Sequence, residues 1–99
     1  MFNCGFIFIT EGCDPSKDHV FIPSDSGVAM QVVGVSNYDE AEEAARTLAE
    51  AGANCIELCP GFGIEGAARV KKAAPGVAIG VCRFDYHVAM DNKSPDDLF

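Results

Sequence analysis

The chain has 99 residues, 48% of them hydrophobic, and sets 7 Lys and Arg against 15 Asp and Glu for a formal charge of −8. That is the length of one domain with enough apolar material for a core, which excludes a disordered chain. The acidic balance repels phosphate backbones and anionic lipids, so no nucleic acid and no membrane is expected as a partner, and no apolar stretch reaches the roughly 20 residues of a membrane span.

Asn3–Thr10, NCGFIFIT, is rich in aromatic and β-branched residues and predicts a first strand. Asp14 before Pro15 is an N-cap with proline at the first helical position, so Pro15–Phe21 reads either as a short helix or as an irregular crossover ended by Pro23. Gly27–Val35 is a second strand, apolar on both faces apart from Gln31. Helix signals then become clear. Asn37 is a cap, Glu40 completes a capping box, and Ala41, Ala44, Ala45, Leu48 and Ala49 make one apolar face before Gly52 closes the helix. Asn54–Cys59 is a third strand, GIEGAARVKKAA a second helix stopped by Pro75-Gly76, and Val77–Phe84 a fourth strand. In the polar tail, residues 88–99, Ser94-Pro95-Asp96-Asp97 reads as the start of one helical turn that docks Leu98 and Phe99.

Strands apolar on both faces and alternating with helices predict an α/β domain over residues 1–99. Its sheet is four-stranded and mainly parallel, built from βαβ units with two main helices and a possible short first one. Two or three helices barely cover two faces of such a sheet. If the strands run in sequence order, all helices fall on one face, and a homodimer or larger homo-oligomer is expected to cover the other. GFIFIT is too short for a signal sequence and no basic residue precedes it, which points to the cytoplasm. The five cysteines are odd in number with no C-x-x-C, and Cys55 and Cys59 lie about 13 Å apart in an extended strand. They read as reduced, mostly buried thiols.

In a parallel sheet, ligands bind beyond the carboxyl ends of the strands. Glu11, Cys59, Gly61, Phe62, Gly63, Arg83, Asp85 and His87 all fall at such ends. Arg83 could grip a carboxylate or phosphate with two hydrogen bonds, and His87 beside Asp85 could act as general acid or base. The opposing reading is an Arg83–Asp85 ion pair with His87 in an exposed loop. Glu57 lies mid-strand and must be paired, with Arg83 as the natural partner, or else line a pocket as a carboxylate of raised pKa and catalytic use. A metal held by His19, His87 and an acid has no supporting spacing, and neither metal nor cofactor is expected.

CPGFGIEG, Cys59–Gly66, has the G-x-G-x-x-G spacing of a dinucleotide fingerprint at Gly61, Gly63 and Gly66. Its place argues against that use. A fingerprint opens the first βα turn, whereas this one sits in the last complete βαβ unit. What remains is a tight turn whose amides could bind a phosphate or carboxylate at a helix start.

VVGVSNYDEA, IELCPGFGIEGAARV and GVCRFDYH together resemble a family of small prokaryotic proteins of unknown function, over nearly the whole chain, with an E-L-C-x-G-F-G turn and an R-F-D-x-H stretch. The resemblance implies a single short α/β domain inside the cell and brings no activity with it. Two functions stay open. One is a protein that binds or acts on a small anionic metabolite at its strand ends; the other is an interaction module or homo-oligomeric subunit without enzymatic activity.

Overall fold

The computed structural model describes residues 2–83, 87, 89 and 91–99. Five strands form one sheet: β1 (Phe2–Ile9), β2 (His19–Ile22), β3 (Val28–Val35), β4 (Cys55–Leu58) and β5 (Ala78–Val81), in the order β2-β3-β1-β4-β5. Four are parallel, and β2 joins the β3 edge antiparallel. Helices α1 (Tyr38–Glu50) and α2 (Ile64–Ala73) follow β3 and β4, and a single turn, α3 (Pro95–Leu98), closes the chain.

The mixed five-stranded sheet corrects the four-stranded expectation, and the error lies in one segment. Asp14 does accept from the Ser16 amide, but its carbonyl closes only one turn, taking the Lys17 and Asp18 amides at 3.0 and 2.7 Å. Val20, Phe21 and Ile22 then favour extended backbone and pair with β3. The cap signal, compatible with a short helix or an irregular crossover, belongs to a turn before a strand.

This substitution sets the layering. Right-handed crossovers from β3 to β4 and from β4 to β5 run the same way across the sheet, so α1 and α2 pack side by side on one face. The β1-to-β3 connection runs the other way, and a helix in it would lie on the opposite face. It is spent instead on β2, in the plane of the sheet, and the described residues place no helix on that second face.

The core lies between the sheet and the two helices. Ile7, Ile9, Val35, Ile56 and Leu58 project from the strands against Ala41, Ala44, Ala45 and Leu48 of α1 and Val70 of α2. The predicted alanine face of α1 is therefore the buried one, with Ala49 at its border. Asn37 accepts from the Glu40 amide at 2.8 Å, and the Glu40 carboxylate returns to the amide and hydroxyl of Ser36, one residue before the cap. All five cysteines are free. Four are half-buried and Cys82 is exposed, so the mostly buried thiols expected are only partly shielded.

The cap is testable. Asn37→Ala removes the acceptor at the start of the longest helix and should cost about 1 kcal/mol in urea denaturation at unchanged m-value. A loss near zero would mean that the Glu40–Ser36 bonds alone hold this end.

Candidate functional site

The ends of β4 and β5 open into a cleft of about 630 Å³. Phe62, Gly63 and Ile64 form one wall at the start of α2; Val81, Cys82, Arg83 and His87 follow β5; Asn92 to Asp96 close the third side. Strand β5 ends at Val81, so Arg83 stands past the sheet, free of the backbone pairing that would hold it flat. Arg83 and Lys93 make no ion pair among the described residues, and His87 accepts from the Ala89 amide through Nδ1 at 3.3 Å.

The G-x-G-x-x-G turn forms the wall opposite Arg83, and it already holds an anion. Asp96, from the first turn of α3, accepts from the Glu65 amide at 3.3 Å and from the Gly66 amide at 3.2 Å. Tyr38, from the start of α1, donates its hydroxyl to the same carboxylate at 2.8 Å and accepts from the Gly63 amide at 3.1 Å. All three glycines serve close contacts within the chain. A Cβ at Gly61 would overlap Ile9, one at Gly63 the Asp96 carboxylate, and one at Gly66 the Tyr38 ring. The amides that a sequence reading offers to an external phosphate are committed within the chain, to Cys59, Tyr38 and Asp96.

Electrostatics follow from that packing. Burial pushes the Tyr38 phenol up to about 12, against the pull of the Gly63 amide. Burial alone would raise the Asp96 carboxyl, but donors from Tyr38, Gly66, Glu65 and Ile64 outweigh it and hold Asp96 below the ordinary carboxylate value. Around the Tyr38 ring, Phe62 stacks at 5.6 Å, Phe99 tilts at 6.4 Å, and the Arg69 guanidinium sits 5.6 Å above the centroid. Arg69 is fixed there by Glu42 and Asp39 of α1, which stabilise its charged form.

Of the residues singled out from sequence, the cleft gathers Phe62, Gly63, Arg83 and His87. Asp85 lies outside the described residues. Phe62 is mainly a core residue, stacked on Tyr38. Gly61 is buried beneath the turn, and Cys59 accepts from the Ile9 and Gly61 amides at 3.3 and 3.4 Å, binding the ends of β1 and β4 together. Glu11 is exposed in the turn after β1. Glu57 is neither paired with Arg83 nor in the cleft: it is exposed on the helix-free face, between Phe6 of β1 and Gly80 of β5. His19 and His87 belong to opposite edges of the sheet, His19 on β2 and His87 after β5. Among the described residues no group of three His, Cys, Asp or Glu could hold a metal ion.

Sequence reasoning missed Tyr38, Asp96 and Lys93. Asp96 had a signal, since SPDD was read as a docking turn; Phe99 docks as expected, while Leu98 remains exposed. Also missed was a second cleft of about 680 Å³, between α1 and the helix side of β2 and β3, with Phe21, Gln31, Val33 and Leu48 in its lining. It exists because β2 extends the sheet beyond what α1 covers.

With the turn accounted for by internal contacts, family comparison decides the affiliation. A family model described as a family of unknown function (DUF6506) matches residues 2–97. The chain belongs to that family. No curated protein and no solved structure matches it. The family thus covers the cleft, the glycine turn and Asp96 as one unit, and among the described residues no helix is long and apolar enough to cross a membrane.

Asp96→Asn should lower stability by about 1 kcal/mol at pH 7, the scale of a lost helix cap. Because the folded carboxyl titrates below the unfolded one, its contribution is present above the unfolded value of about 3.9 and is lost as pH falls through the folded value. Urea midpoints of the two proteins should therefore converge in acid, and a gap that persists there would refute the charge-based account. Gly66→Ala should destabilise by about 2 kcal/mol through the Tyr38 ring, although alanine is the better helix former.

Proposed function

We propose that the cleft beyond β4 and β5 binds a small anionic metabolite carrying a carboxylate or phosphate. The observation that carries this reading is the placement of Arg83, His87 and Lys93 around one opening in a chain of net charge −8. Arg46 and Arg69 are consumed by carboxylates of α1, and Lys71 bonds the carbonyls of Pro75 and Val77. Arg83 and Lys93 are spared such use among the described residues. Asp96, the acid in the lining, has its charge met by Tyr38 and the α2 amides, so it offsets the basic groups less than its formal charge suggests.

A cleft lined by basic groups raises the local concentration of anions at its mouth. Arg83 would supply two parallel hydrogen bonds to a planar carboxylate or a phosphate, Lys93 a point charge, and His87 a donor or a proton acceptor. Binding then rests on side chains, not on the amides of the glycine turn.

Differential scanning fluorimetry against phosphorylated and carboxylated metabolites tests the proposal. A ligand present at 100 times its dissociation constant stabilises by about 2.7 kcal/mol, a rise on the order of 10 °C or more for a domain of this size. Arg83→Ala should abolish the shift and His87→Ala reduce it, with Lys17→Ala as the unaffected control. No shift with any anion, or a shift that survives Arg83→Ala, would overturn it.

A further inference from the structure

The sheet face on which the described residues place no helix is the least accounted-for surface of the molecule. The strand registers place its side chains in rows: Val20, Val32 and Phe6 in one, Ile22, Met30, Cys4 and Cys55 in the next, Val28 and Phe2 in the third. Val20, Ile22, Val28 and Phe2 are each 42–51% exposed. Small residues continue the face toward β5, where Ala78 pairs with Cys55 and Gly80 with Glu57. The rows contain one charged residue, Glu57, on the β5 side of the large apolar groups. A chain with 22 Asp, Glu, Lys and Arg residues keeps nearly all of them off this face.

We infer that this face is the contact between two copies of the chain, packed sheet on sheet about a two-fold axis. The fold's own logic leaves the layer open. The connection from β1 to β3 would have covered the face as a helix and lies in the sheet plane as β2 instead. An apolar surface related to itself by a two-fold is complementary without any pattern of charges, and here the charge-poor centre with Glu57 toward the rim suits such a contact. The area is also adequate. Strands spaced about 4.8 Å, with a rise of about 3.3 Å per residue, give the two eight-residue and three four-residue strands a flat footprint of roughly 440 Å². Two copies would bury about 900 Å² of flat area, which side-chain relief raises to about the 1,000 Å² of a specific interface. A foreign partner with a charged or polar binding edge would find almost nothing here to recognise it. A second copy brings the same flat apolar rows at the roughly 10 Å separation of packed sheets.

Residues of one strand separate this interface from its alternatives. Val20 and Phe21 are adjacent on β2 and about equally exposed, at 51% and 53%, but Val20 faces the helix-free side and Phe21 the helix side. Sedimentation equilibrium from 1 to 100 µM (on the order of common dissociation constants for modest interfaces) should give twice the chain mass for the wild type. Val20→Lys puts two lysines into the contact and should weaken it about a hundredfold, taking each uncompensated charge as a factor of ten. Phe21→Lys should leave the mass unchanged. Both sites are exposed in the single chain, and circular dichroism with thermal melts checks that both variants fold. The half-buried thiols of Cys4 and Cys55 give an independent readout: they should react more slowly with a thiol reagent in the wild type than in Val20→Lys. A wild type monomeric at 100 µM overturns the inference, and so does a dimer lost with Phe21→Lys but kept with Val20→Lys. Neither outcome bears on the Arg83 cleft, which opens at the strand ends and needs no partner.

Discussion

The hydrogen bond from Tyr38 to Asp96, 2.8 Å long, ties the start of α1 to the C-terminal turn at the point where both meet α2. Tyr38 begins α1, Asp96 belongs to the C-terminal turn, and both bind amides at the start of α2. The first amides of any helix lack internal partners and favour a negative group. Here a carboxylate 30 residues downstream supplies it, which lets Gly63, a residue without a capping side chain, stand at the N-cap. Phe62, Phe99 and Arg69 then pack around the Tyr38 ring, so one polar contact organises the apolar end of the domain. The same contact builds the cleft, because the tail that carries Lys93 to its rim is anchored through Asp96.

A second constraint comes from connection geometry. Because successive right-handed crossovers run one way from β3 through β5, both long helices crowd one face of the sheet. The connection that runs the other way contributes a strand, and the result is a two-layer domain with an open face. The clefts lie where this covering is incomplete: beside α1, where β2 overhangs, and beyond β5, where the tail folds back. Surface chemistry is divided accordingly. Acids line α1 and the exterior, Arg83 and Lys93 stand at the cleft beyond β5, and the open face is nearly free of charge.

Much of this was legible in the residues. The α1 cap, its alanine face, Gly52 beyond its end and the four parallel strands carry local signals that act within a few residues and are not overridden by packing. The segment 15–22 was not legible, because a short apolar run after an Asp-Pro cap suits a helical turn or a strand, and only an available edge on β3 decides between them. Glu57 shows the limit of reading burial from position. A mid-strand acid looks trapped, yet this one faces outward on a layer that the single chain leaves open.

By itself, then, the sequence determined an acidic one-domain α/β chain, its two long helices and the end of the sheet at which polar groups collect. Periodicity, caps and charge act locally and can be read one element at a time. Tertiary structure alone decided the strand order, the antiparallel fifth strand and the use of the glycine turn. Each depends on a partner far away in the chain: β3 for β2, Ile9 for Gly61, Asp96 for Gly63, Tyr38 for Gly66. The G-x-G-x-x-G spacing records that close approach is required, and no residue inside the motif says what approaches.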